Sequence, residues 1–326
     1  MHRSQIKTHT DGIWISSPRE VCVVTQLVDS LIEAGFQPVV QNTDNFGLPY
    51  IFQRGDFKAN LRLVDSVFMT DAGIFNDSGH VIITDNHALW PVPGQVISVL
   101  PEFWSIWYFE PDYTDRVPVK AFNCFMNRCR GERSQVFYEL CKRNILHEGF
   151  VSYNCSRQEL EDQYQAAEMQ SNYRDQHQRA LELIPYNTVQ SWGSVEQCII
   201  DSRVSLIMET YTSDTHITFS EKIFRCLQMP RPWLLYCSPG SISLLQSHGF
   251  DVLSDMIDTG YDAVCNHGTR LQLILDQLET FIPREFTAQQ MMRFKQASQH
   301  NQKLLQQFQQ DWPMKFQRVI SDIKSL

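Results

Sequence analysis

The chain has 326 residues, 43% of them hydrophobic and 20% charged, which excludes intrinsic disorder and suffices for two hydrophobic cores of ordinary size. Its formal net charge of -9 disfavours a surface made to lie on a nucleic-acid backbone, because such surfaces carry a basic excess, although a local basic groove stays open. The opening MHRSQIKTHTDG lacks the apolar core of a signal peptide, and no stretch reaches the ~18 uninterrupted apolar residues of a membrane span, so the expected location is cytoplasmic.

In chain order, the first elements read as a β-α-β unit. Ile13, Trp14 and Ile15 form an apolar strand; Val24, Leu27, Val28, Leu31 and Ile32 follow a helical period closed by Gly35; Pro38 to Val40 form a second strand. Two further strands are expected at Leu61 to Met69 and His80 to Thr84, each bounded by turn-forming Asp, Asn and Gly.

Val119 to Phe125 reads as the next strand and leads into the loop Asn127-Arg128-Cys129-Arg130-Gly131-Glu132-Arg133. The positions Val136, Phe137, Leu140 and Cys141 then keep the helical period. Arg128, Arg130 and Arg133 stand at a loop-helix junction, where a guanidinium fork matches phosphate oxygens. Two readings stand here: a phosphate clamp, and a solvated basic turn pairing with Glu132 and Glu139.

Residues 156 to 182 are rich in Glu, Gln, Asp and Arg, with Ser156 and Glu159 in capping-box spacing. This polar stretch places the domain boundary at 151–185, between an N-terminal domain at 1–150 and a C-terminal one at 186–326. Strands alternating with helices predict an α/β fold of two Rossmann-like domains with mostly parallel sheets and working loops at the strand C-termini.

The C-terminal half opens with a helix at Ser194 to Asp201 and a strand at Val204 to Met208. That strand runs into Glu209-Thr210-Tyr211-Thr212-Ser213-Asp214-Thr215-His216-Ile217-Thr218-Phe219, after which Ser220 caps a helix with Glu221 and Lys222 in its first turn. A lysine there is opposed by the helix dipole unless negative charge sits nearby, a local conflict of the kind that marks functional sites. After a buried strand at Trp233 to Cys237, the small-residue turn Ser238-Pro239-Gly240-Ser241 opens another helix; it reads equally as a phosphate cradle and as a tight connection. From Arg270 to Leu326 the pattern is helical, with Pro283 and Pro313 expected as breaks.

Nine cysteines, at 22, 124, 129, 141, 155, 198, 226, 237 and 265, show no pairing pattern and suit a reducing compartment. Cys124 with Cys129 and Cys141, or Cys265 with His267, lack metal-site spacing, so no metal is expected. No Asp-x-Asp pair occurs.

The stretch from Glu209 to Ser241 resembles the donor-binding segment of GT-B glycosyltransferases, most closely the fucosyltransferase-like group, in which an acidic residue ends a strand and a Glu-Lys pair opens the next helix. The blocks FNCFMNRCRGER, GFVSYN, ETYTSDTHITFSEKIFRCLQMPRPWLLYCSPGS and GFDVLSDMIDTGYD look like a family of bacterial and phage-encoded glycosyltransferases. The likeness spans roughly residues 97 to 275.

This resemblance implies two domains facing a cleft and transfer of a sugar from a UDP- or GDP-sugar to a hydroxyl acceptor, with no cofactor and no metal. It implies that Glu221 holds the ribose hydroxyls, that Lys222 and Arg133 hold the diphosphate with Arg128 and Arg130 in reserve, and that Glu209 and Tyr211 line the sugar or base. Ser220, Ser238 and Gly240 complete the candidate binding set. The loop asparagine of the fucosyltransferase pattern is missing, which leaves the donor open.

An inverting reaction also needs a base for the acceptor proton, for which Asp71, Asp85 and His87 are candidates at expected strand ends or loops, beside Glu102 and Glu110. The acceptor classes are a glycan, a lipid-linked sugar, a protein and a modified DNA base. Two other functions remain open: a non-catalytic nucleotide or sugar-phosphate binding module, and a structural protein that keeps the fold for its shape.

Overall fold

In the computed structural model the described residues are short strand segments before residue 100, residue 104, and residues 108–110, 117–126, 131–153, 195–209, 212, 216–217 and 219–325. They belong to two compact units. The first comprises 1–108, 215–219 and 303–326, and the second comprises 109–214 and 220–302.

In the first unit, β1 (Gln37–Val39), β2 (Tyr50–Gln53), β3 (Asn60–Leu63), β4 (His80–Thr84) and β6 (Val96–Val99) form a five-stranded sheet in that order, while β5 (His87–Ala88) stands apart. β3, β4 and β6 are parallel, whereas β1 to β2 and β2 to β3 are antiparallel. The sequence-based expectation of parallel strands is therefore corrected for this half of the sheet. Only residues 40–49 and 54–59 join these strands, and a parallel crossover needs a dozen residues or more.

The second unit is α/β with an all-parallel sheet. β7 (Lys120–Met126) is followed by α1 (Gly131–Lys142), β8 (Gly149–Tyr153), α2 (Val195–Ile200) and β9 (Ser202–Met208). β10 (His216–Ile217) then pairs antiparallel with β5 in the first unit. The second unit resumes with α3 (Glu221–Leu227), β11 (Trp233–Tyr236), α4 (Ser241–Ser247) and α5 (His267–Phe281). α6 (Ala288–Ser325) ends the chain.

The strand order is β11-β9-β7-β8, with every neighbour parallel. Strands from both sides of the 151–185 segment therefore join one sheet. Nearly continuous burial along β7, β9 and β11 is what a parallel sheet covered on both faces requires. The helices cover it with 3.6-period stripes, as in α5, where Leu271, Ile274, Leu275, Leu278 and Phe281 are buried.

The two faces are told apart by neighbouring residues of β7. Cys124 feels the charge of Arg133 on α1, whereas Asn123 donates to Ser205 Oγ (2.9 Å), which in turn bonds Cys226 of α3. Successive strand residues face opposite ways, so α1 and α3 cover opposite faces.

The chain leaves β7 for β8 on one side, then returns past β7 to β9 and β11 on the other. This reversal makes the carboxyl ends of β7 and β9 the topological switch point of the sheet.

α6 runs unbroken through Pro313, which corrects the expected break; the other expected break, Pro283, does follow α5. The missing hydrogen bond costs about 3 kcal/mol. The burial of Phe294, Ala297, Leu305 and Phe308 along the same helix offsets it. Among the described residues no helix is long and apolar enough to cross a membrane.

Candidate functional site at the carboxyl edge of the parallel sheet

Glu209 is the first residue past β9 and is buried, so its charge needs partners. Its carboxylate accepts the backbone N–H of Ser220 at 3.1 Å and the Ser220 hydroxyl at 2.6 Å. Ser220 Oγ in turn accepts the Lys222 N–H at 3.4 Å, which caps α3, and the Lys222 ammonium at 2.9 Å. Lys222 Nζ lies 3.9 Å from Glu209 Oε2 and 3.6 Å from Glu221 Oε1.

The four side chains of Glu209, Ser220, Glu221 and Lys222 thus form one connected group. Glu209 is sealed from solvent, whereas Lys222 and Glu221 keep 22% and 32% of their side-chain surface exposed. The two carboxylates supply the negative charge that a lysine in a first helical turn calls for.

Arg133 lies in the first turn of α1, at the carboxyl end of β7 across the switch point. Burial pushes the Cys124 thiol up to about 12, and the nearby Arg133 guanidinium pulls the other way. The guanidinium is therefore packed close to β7 and is itself largely buried.

The Ser238–Gly240 turn also lies on this edge, after β11. Gly240 takes φ 81°, a left-handed conformation that suits glycine and turns the chain into α4. The N–H groups of Ile242 and Ser243 are already bonded, each at 3.0 Å, by the carboxylate of Asp262, which also accepts the Ser243 hydroxyl. The chain thus brings its own anion to this turn.

Arg128, Arg130, Tyr211, Asp71, Asp85 and Glu102 lie outside the described residues. His87 is placed in β5 opposite Ile217, and His216 opposite Ala88. Glu110 is exposed.

Sequence reasoning missed Asp262, Thr212 and Arg270. For Arg270 there was a signal, a charged residue on the apolar stripe of α5 at helical spacing from Ile274 and Leu278. Asp262 caps a helix twenty residues away, and no local pattern announces that.

Among the described residues, no cluster of three or more His, Cys, Asp and Glu side chains is arranged to hold a metal ion. No family model matches the chain, and neither a curated protein nor a solved structure matches it.

Proposed function

We propose that this protein is a glycosyltransferase of the GT-B type that moves a sugar from a nucleotide-diphosphate donor to a hydroxyl acceptor without a divalent metal. One observation carries this reading: partly exposed Lys222 and Glu221, braced by Ser220 and by buried Glu209, stand at the carboxyl edge beside the topological switch point, where open α/β sheets bind their ligands.

In this mechanism Lys222 and Arg133 neutralise the diphosphate, and Glu221 accepts from the ribose hydroxyls. As the anomeric C–O bond to the diphosphate breaks, negative charge grows on the leaving group, and fixed cations stabilise it more in the transition state than in the ground state. The acceptor oxygen bonds the anomeric carbon and its proton passes to a base, for which Asp71, Asp85 and His87 are the candidates. The donor is a UDP- or GDP-sugar, the acceptor a glycan, lipid-linked sugar, protein or modified DNA base, and the reaction is cytoplasmic.

The test is a thermal-shift series with UDP, GDP, CMP and ADP on the wild type and Lys222→Ala. A cognate nucleotide at a hundredfold excess over Kd stabilises by about 2.7 kcal/mol, and Lys222→Ala removes that shift. Matching sugar nucleotides should then be hydrolysed or transferred; stabilisation without turnover indicates a binding module instead.

The pairing of Lys222 with Glu209 and Glu221 favours a second reading, in which the fold is kept for its shape. That reading predicts no nucleotide response in either protein.

A further inference from the structure

Arg270 is 1% exposed, and its guanidinium bonds three backbone carbonyls and one imidazole nitrogen. Its Nη1 donates to the carbonyls of Val264 (2.5 Å) and Cys265 (3.3 Å). Its Nη2 donates to the Thr212 carbonyl (3.0 Å) and meets His267 Nδ1 at 3.1 Å. The guanidinium carbon stands 5.6 Å from the centre of the Tyr236 ring. No carboxylate among the described residues pairs with it, although a desolvated cation without counter-charge is strongly disfavoured.

Two buried polar atoms at this contact also lack a hydrogen-bond partner among the described residues: Arg270 Nε and Thr212 Oγ1. Both carry protons to donate, and they belong to the two residues joined by the Nη2 to Thr212 carbonyl bond. With Nη2 taken by the Thr212 carbonyl and His267 Nδ1, the free donor of the guanidinium is Nε–H, so an oxyanion here would accept from Nε–H and from the Thr212 hydroxyl. A purely structural strut accounts for the bonds to the carbonyls. It leaves the two unused donors and the unbalanced charge without a reason.

The position is informative as well. Thr212 lies three residues past Glu209, and Tyr236 is the last residue of β11, so the pair sits on the same carboxyl edge as Lys222. We propose that Arg270 and Thr212 form an oxyanion subsite on this edge, which takes a phosphoryl or carboxylate group of the bound ligand. This rests on the nucleotide-sugar reading only for the source of the oxyanion, the donor's diphosphate.

The experiment titrates inorganic pyrophosphate and glucuronate, at constant ionic strength, into the wild type, Thr212→Val and Arg270→Lys, reading Kd by calorimetry and the melting temperature. Pyrophosphate is expected to bind the wild type. Thr212→Val, which removes a buried unpaired hydroxyl at nearly constant shape, keeps the ligand-free melting temperature at or above the wild-type value and weakens pyrophosphate binding about tenfold. Arg270→Lys keeps the charge, loses the fork and weakens binding further. If Arg270→Lys fails to fold, Thr212→Val alone decides.

Glucuronate bound in place of pyrophosphate, with the same dependence on Thr212, supports the subsite and makes a carboxylate its source. Failure of both anions to bind the wild type, or unchanged binding by Thr212→Val, overturns it. Nucleotide binding that depends on Lys222 but ignores Thr212 and Arg270 overturns the subsite and leaves the nucleotide reading standing. Pyrophosphate binding that depends on Thr212, in a protein no nucleotide stabilises, does the reverse.

Discussion

The carboxylate of Glu209 holds Ser220 by both its backbone N–H and its hydroxyl, across eleven residues of chain. The bond ties the end of β9 to the start of α3 and fixes the residue that caps the helix. Glu209→Gln keeps the shape but gives up charge-assisted bonds, at an expected cost of about 1.5–3 kcal/mol. Ser220→Ala removes the cap as well as the tether and costs about 1 kcal/mol or more. Urea unfolding measures both; a Glu209→Gln protein as stable as wild type would contradict this role.

Gly149 opens β8 directly opposite Phe122 of β7. Its backbone is ordinary extended strand at φ -113°, so the glycine answers a steric need and not a conformational one. A Cβ at this position would lie 2.6 Å from two ring carbons of Phe122, which is fully buried, so something must shift to admit it. Gly149→Ala should therefore destabilise by about 1–3 kcal/mol, read as a lower urea midpoint, and Phe122→Leu should partly rescue it.

β11 is an edge strand of the parallel sheet, yet its Leu235 N–H is satisfied by the hydroxyl of Tyr261 at 3.1 Å. Tyr261→Phe leaves that buried N–H without its acceptor, at a cost of about 1–3 kcal/mol. Amide hydrogen exchange should report it locally, with faster exchange at Leu235. Unchanged protection there would count against the assignment.

Alkaline conditions should unfold the protein early. Burial pushes the thiols of Cys124 and Cys226 up to about 12, from the ordinary value of 9.0 that they regain on unfolding. With the folded-state value raised, the stability these groups contribute is complete below pH 9 and is lost as pH climbs from 9 through about 12. Each thiol contributes a slope of about 1.4 kcal/mol per pH unit in that window. Urea midpoints taken from about pH 7 to about pH 10.5 should fall accordingly, and Cys124→Ala with Cys226→Ala should flatten the fall whatever their effect at neutral pH.

Local signals made part of this fold legible. His80 to Thr84 is β4, and Val204 to Met208 and Trp233 to Tyr236 lie in β9 and β11, because apolar runs bounded by turn residues carry their own evidence. Ser220 was readable as a cap from the residues that follow it, and the structure shows the bond. β8 carried a weaker signal, since Gly149 and Ser152 dilute its apolar character and its glycine makes sense only against Phe122. The antiparallel turn of the first sheet depended on which strands pair, which periodicity does not encode.

The candidate site divides along the same line. Glu209, Ser220, Glu221 and Lys222 are near neighbours in sequence, and the strand-loop-helix pattern announced them. Asp262 and Arg270 act on backbone groups far along the chain, Ser243 and Thr212 among them, so only the folded chain reveals them.

The order of the parallel sheet also governs how the chain is born. Asn123 of β7 meets Ser205 of β9 across 82 residues, so at ribosomal speeds of 5–20 residues per second the inner flank of β7 waits about 4–16 s for its neighbour. During that interval the nascent protein holds β7 with only β8 beside it and a bare apolar margin. Shielding that margin until β9 leaves the exit tunnel should therefore raise the yield of folded protein.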